Sequence, residues 1–205
     1  MLGKTYRQDG AEQAKDILKD LAHHPSAINH IATKLARHFI SDAPPASAIE
    51  KLESVFLKTG GDLSELARAV IHLDDAWQAE SQKLKTPEEL LVSSARALGG
   101  YAIFGGVRDL RKIYESLGQP PFGAPAPEGW SDNAADWAGP DAIKKRLEWA
   151  NRVGQRGQSK VTASEFIENA LGPLASSATR TSISRAESNA QGLTLALMSP
   201  EFQRR

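Results

Sequence analysis

The richest polar group in the chain lies between residues 83 and 96: Lys83, Lys85, Glu88, Glu89 and Arg96, of which the cations could hold an anion. Glu89 and Arg96 stand seven residues apart, which on a helix places them on one face. Lys85 lies just ahead of that helix. In a functional reading, Lys85 and Arg96 grip the anion while Glu89 orients them. In a plainer reading the segment is a capped helix with solvated charges and one structural ion pair. A second set, Lys34, His38 and Asp42, recurs at intervals of four and could form one side of a polar pocket. The plainer alternative places Lys34 and Arg37 in solvent and bonds a boundary imidazole, His38, to a carbonyl.

Other chemistries are excluded or poorly supported. The chain has no cysteine, so thiolate nucleophiles, disulfides and cysteine-based metal clusters are out. Its histidines are His23, His24, His30, His38 and His72. His30 and His38 would lie about 12 Å apart along a helix axis, too far to share one ion. No metal site and no cofactor is expected. The run G-G-Y-A-I-F-G-G (residues 99–106) lacks the Lys-Ser/Thr ending and the preceding strand of a phosphate loop, and reads as a helix–helix connection. No G-x-S-x-G elbow is present.

The elements that must position these residues are helices. Residues 24–45, H-P-S-A-I-N-H-I-A-T-K-L-A-R-H-F-I-S-D-A-P-P, predict one sharply bounded helix. Pro25 suits the first turn, and Pro44-Pro45 forbid continuation. Ile28, Ile31, Ala32, Leu35 and Phe39 form its expected apolar face. A helix precedes it through Ala14, Ile17, Leu18 and Leu21. Another follows through Ile49, Leu52, Val55 and Phe56, stopped by Gly60-Gly61. Asp62-Leu63-Ser64-Glu65 resembles a capping box opening a fourth helix. Thr86-Pro87-Glu88-Glu89 is the clearest start signal in the chain. Further helices follow over Val107–Leu117, Ile143–Val153, Thr162–Leu171, opened by Thr162 with Glu165, and Gly192–Phe202.

No strand pattern persists, so the predicted class is all-α: an irregular bundle of about eight or nine helices. Residues 118–140 interrupt it with five of the eleven prolines and two of the four tryptophans. Phe122, Trp130 and Trp137 make this segment too aromatic for an idle linker, and it is expected to pack across the helices or over a site. The expected organisation is a helical domain over 1–174. The Ser/Thr/Arg-rich stretch and short final helix, 175–205, would pack on that same domain.

The 205 residues suffice for a sizeable core. Lys+Arg and Asp+Glu both number 25. That balance argues against a general nucleic-acid binder, which needs a net basic face. No apolar run approaches the length of a membrane span, and no basic-then-apolar signal follows Met1. As given, the chain is expected to stay in the cytoplasm.

Three blocks in order carry a resemblance: residues 24–45 above, K-L-K-T-P-E-E-L-L-V-S-S-A-R-A-L-G (83–99) and L-G-Q-P-P-F-G-A-P-A-P-E-G-W-S-D (117–132). Trp137, Arg146 and the closing S-P-E-F-Q (199–203) fit as well. On these blocks the chain resembles the C-terminal part of the bacterial "domain of unknown function 1800" family. The resemblance implies a predominantly helical protein with no established activity, and export to the periplasm or beyond in complete relatives. It also implies that the family's upstream acidic and histidine-rich motifs lie before the equivalent of Met1.

The residues matched by these blocks are His38, Asp42, Lys85, Glu89, Arg96, Gln119, Trp130, Asp132 and Arg146. Two functions follow as expectations. One is a helical interaction module, docking on a partner protein or on an absent N-terminal half through Phe122, Trp130 and Trp137. The alternative is a half-site of a hydrolase handling phosphate, sulfate or sugar-acid groups. There, Lys85, Arg96 and Arg146 would bind the anion and His38 or Glu89 would act as acid or base.

Overall fold

The computed structural model describes residues 2–7, 9–77 and 83–205. Met1 and Gln8 of the leading segment lie outside the described residues. The fold is all-α, with twelve α-helical segments among the described residues, ten of them of at least seven residues. The chain divides into two compact units, Met1–Glu80 and Ser81–Arg205.

In the first unit, α1 (Ala11–Ala22), α2 (Pro25–Phe39), α3 (Ala46–Thr59) and α4 (Leu63–Ile71) precede a 3-10 turn at Asp74–Trp77. Pro25 takes the first helical position of α2, and the His24 imidazole accepts from the Ser26 amide at 3.2 Å. The buried stripe of α2 is Ile28, Ala32 and Ala36, with Ile31 and Leu35 partly covered. Phe39 departs from the expected apolar face. It is 52% exposed, and Ile40, where the helix ends, enters the core instead. Ala32, Ala36 and Ala48 keep side chains short where α2 meets α3.

Gly60 and Gly61 end α3 with φ of 66° and 88°. At Gly61 a Cβ would also fall 2.9 Å from the Phe56 ring, so this exit needs glycine twice over. Asp62 caps α4 through the Ser64 and Glu65 amides at 2.8 and 3.2 Å. The expected reciprocal box is not closed, because Glu65 turns to Arg68 at 3.1 Å.

The second unit holds α5 (Pro87–Ala97), a 3-10 turn at Tyr101–Phe104, α6 (Val107–Ser116), α7 (Ala134–Trp137), α8 (Pro140–Gly157), α9 (Ala163–Ala170), α10 (Ser177–Ser184), α11 (Asn189–Met198) and α12 (Pro200–Gln203). Its core runs from Leu90, Leu91 and Leu98 through Trp149 and Phe166 to Leu193, Leu197 and Phe202. Helix α11 is apolar on most sides, as a helix surrounded by others must be. It lies against α8, α9, α10 and α12. Gly154 of α8 permits a close approach of α11, since a Cβ there would meet the Ala190 carbonyl and Thr194 Oγ1 at 2.6 Å.

Two expectations need correction here. Residues 175–189, anticipated as a stretch outside the regular helices, contain α10. Ser176 caps it at the Thr179 amide, and Thr179 and Ile183 are buried. The last helix is two: the chain turns at Ser199, and Pro200 starts α12. Residues 99–106 do connect helices, through the 3-10 turn.

Candidate functional site

A bonded polar cluster forms where residues 203–205 meet the entrance to α5. Ser199 closes α11 and opens α12, donating to the Ala196 carbonyl at 2.9 Å and accepting from the Phe202 amide at 3.2 Å. That turn drives Phe202 into the core beside Phe166, with ring centroids 5.1 Å apart. Beyond it the chain runs antiparallel to residues 83–85. The Lys85 amide donates to the Gln203 carbonyl and the Arg205 amide to the Lys83 carbonyl, both at 2.8 Å. A single bridge joins Leu84 and Arg204.

Arg146, on α8, is 2% exposed and locks this pairing from beneath. Nη1 donates to Gln203 Oε1 and Nη2 to the Lys85 carbonyl, both at 2.7 Å. Gln203 Nε2 in turn donates to the Leu197 carbonyl at 2.7 Å. Burial pulls the guanidinium down to about 10, against the opposing field of Glu89. A planar fork with fixed donor directions suits such a two-acceptor bridge better than an ammonium would.

Glu89 serves two partners. One oxygen accepts from the Thr86 amide at 2.8 Å, closing the capping box of α5. The other lies 2.8 Å from Arg205 Nε. The Lys85 ammonium sits 4.1 Å from the centroid of the Phe202 ring. Burial lowers it to about 8, with Glu89 pulling the other way. Such a value gives a neutral-amine fraction near neutral pH that an exposed lysine lacks.

The proline-rich segment is tied to the same region. Gln119 is buried and accepts from the Glu88 amide at 2.8 Å. Lys83, 2% exposed, donates its ammonium to the Asp132 carbonyl. Trp137 is buried, donates to the Ser131 carbonyl at 2.9 Å and tilts against half-buried Trp130, 6.0 Å between centroids. Phe122 is the exception, with its ring fully in solvent.

Of the residues singled out in the sequence, Lys85, Glu89 and Arg146 share this network, and Gln119 and Asp132 anchor the proline-rich segment to α5 and the stretch before it. Arg96 stands exposed on the last turn of α5, and no described bond joins it to Glu89. The ion pair that Glu89 does make is with Arg205. His38 and Asp42 belong to the first unit, both half-buried. The His38 ring meets Phe39 edge-on at 4.6 Å. Sequence reasoning did not place Gln203 and Arg205 in the network. The Ser-Pro pair at 199–200, a cap followed by a first-turn proline, was the available signal.

Nearby, Glu201 ties α10 to α12. It accepts from the Ser176 amide at 3.0 Å and the Thr179 hydroxyl at 2.9 Å. Burial pushes its carboxyl up, but bonds from Ser176, its own amide and Thr179 outweigh that and hold it at about 2.

Chemically, this arrangement fixes backbone. Lys83 and Arg146 direct donors at main-chain carbonyls, and the carboxylate of Glu89 is shared by a main-chain amide and Arg205. Among the described residues no group of three or more His, Asp or Glu is placed to hold a metal ion. No described helix is long and apolar enough to cross a membrane.

No curated protein and no solved structure matches this chain. A family model described as "Protein of unknown function (DUF1800)" does, over residues 1–204. The helical fold and the sequence blocks that build the network agree with that match, and the chain belongs to the DUF1800 family.

Proposed function

We propose that this chain is a helical docking module, and that Phe122 is the side chain it inserts into an apolar pocket on a separate partner protein. The observation that carries the reading is the cost concentrated at that residue. Phe122 is fully exposed and has φ of 58°. It occupies the third position of a turn closed by the Gly123 amide on the Pro120 carbonyl at 3.0 Å. Glycine is the residue that fits such a position, and a non-glycine residue there costs about 1–2 kcal/mol. Burying the ring on a partner would offset that strain, and the prolines limit the ordering entropy of binding.

The rest of the segment supports the same reading. Glu128 is the only ionisable residue between 118 and 130, so the presented surface is almost uncharged and suits an apolar acceptor. Trp130, Trp137, Gln119 and Lys83 hold the base of the loop. In this reading Lys85, Glu89 and Arg146 are architectural.

A photo-reactive phenylalanine analogue at position 122, compared with one at exposed Ile143, tests the proposal in cells expressing the chain. The expected result is one discrete protein adduct specific to position 122. Its purified component should bind the wild-type chain and lose about tenfold or more in affinity for Phe122→Ala. An adduct formed only between copies of the chain, or equal labelling from both positions, would overturn the reading.

One observation favours a second reading, a half-site for an anionic phosphate, sulfate or sugar-acid substrate: the half-buried Lys85 ammonium lies on the Phe202 ring with no ion pair among the described residues. An anion at roughly a hundred times its dissociation constant should then stabilise the fold by about 2.7 kcal/mol. Loss of that stabilisation in Lys85→Ala would support the second reading, and its absence from wild type would remove it.

A further inference from the structure

Helices α6 and α8 of the second unit line a cavity of about 270 Å³ with matched helical faces. From α6 come Asp109, Lys112, Ile113 and Ser116, and from α8 Trp149, Arg152, Val153 and Arg156. Each set follows the three-and-four spacing of one helix face. Phe104, at the end of the 3-10 turn, joins them.

The lining divides into a buried apolar floor and a cationic rim. Trp149 and Phe104 are each 1% exposed and lie 5.9 Å apart between centroids, tilted by 47°. Val153 is buried and Ile113 half-buried. Lys112, Arg152 and Arg156 are exposed around them.

The charges on these two helices are arranged unevenly. Away from the cavity, Arg111 pairs with Glu115 at 2.9 Å, Lys145 with Asp141 at 2.6 Å and Lys144 with Glu148 at 3.9 Å, each one turn apart. On the cavity rim, Lys112 and Arg152 have no ion pair among the described residues. The one acid there, Asp109, accepts from the Gly106 amide at 3.2 Å. Arg156 is held in place by a bond from Nη1 to the Phe104 carbonyl at 3.3 Å. Three cations therefore face one carboxylate around an aromatic floor.

We infer that this cavity binds a small organic anion, a phosphate or carboxylate carried on a flat apolar body. The acidic oxygens would lie between Lys112, Arg152 and Arg156, and the body would rest on half-buried Ile113 and the aliphatic stems of the three cations. Arginine suits the oxygens through its paired donors, and Ile113 with the aliphatic stems of the cations suits an apolar body. The volume admits one ring with one acidic group and little more. This site is independent of the docking surface at Phe122 and of Lys85.

Calorimetric titration of the full chain with phenyl phosphate, inorganic phosphate and phenol tests the inference. Phenyl phosphate should bind about tenfold or more tightly than either fragment probe, since floor and rim act together. Lys112→Gln and Arg152→Gln should each weaken phenyl phosphate by about fivefold or more, with thermal unfolding unchanged. Arg111→Gln, on the neighbouring face, should stay within about twofold of wild type. Phenyl phosphate binding no tighter than inorganic phosphate, or weakened equally by all three substitutions, would overturn the inference and leave only diffuse positive charge.

Discussion

Replacing Arg146 with methionine should release the end of the chain. Two acceptors would lose their donor: the Lys85 carbonyl and Gln203 Oε1, each now bonded at 2.7 Å. A buried acceptor left without a partner costs about 1–3 kcal/mol, more when the lost donor was charged. Removing a guanidinium that burial already pulls down to about 10 returns part of that. The net expectation is about 2–4 kcal/mol, concentrated where residues 203–205 pair with 83–85. Native-state hydrogen exchange of the Lys85 and Arg205 amides reads it locally, since both donate across that pairing. Their exchange should accelerate roughly 30- to 700-fold, at 1.4 kcal/mol per factor of ten. Lysine at 146 should recover less than half, because it cannot reach two acceptors in fixed directions. Exchange within about threefold of wild type in Arg146→Met, or full recovery in Arg146→Lys, would refute the assignment of Arg146 as the lock.

Other consequences concern ionisation and packing. Lys85 is held at about 8 against an ordinary 10.5, so the unfolded chain binds more protons between those values. Its contribution to stability should rise by about 1–3 kcal/mol as pH climbs from 8 to 10.5; below 8 the full penalty applies. Denaturant midpoints of wild type and Lys85→Met should converge over that window, and a gap independent of pH would contradict it. Glu201, held at about 2 against 4.5, works the other way: its stabilisation is present above 4.5 and lost as pH falls towards 2. Glu201→Gln should cost about 1–3 kcal/mol at pH 7 by urea unfolding, with most of that difference gone by pH 2. Gly154→Ala should destabilise by about 1–3 kcal/mol despite the better helix propensity of alanine, because the new methyl meets the Ala190 carbonyl. A neutral or stabilising result would mean that α8 and α11 have room to separate.

What could be read from sequence was local. Caps are written in neighbouring residues, so the starts of α2 at His24-Pro25 and of α5 at Thr86-Pro87 were legible. Periodicity identified the helices but missed a register detail. Phe39 continues the apolar spacing of α2, but the chain leaves the helix there, and the buried place goes to Ile40. Helix α10 was hidden because Ser, Thr and Arg form poor periodic patterns, and it is held by tertiary bonds to Glu201 and Glu168. The network around Arg146 joins residues 57 and 61 positions apart, and no spacing rule spans that distance. The S-P-E-F-Q block includes Ser199 and Gln203, but the block does not say what they touch. The strain at Phe122 was not legible either, since a backbone angle is not a residue type.

The central claim is that the matched polar residues of the second unit build the scaffold while Phe122 makes the contact. The most direct test measures the affinity of the partner captured at position 122 for Phe122→Ala and for Glu201→Gln, each beside its thermal unfolding. The account predicts that Phe122→Ala loses about tenfold or more in affinity with its unfolding temperature unchanged, while Glu201→Gln unfolds earlier and binds normally. Normal binding by Phe122→Ala would contradict it.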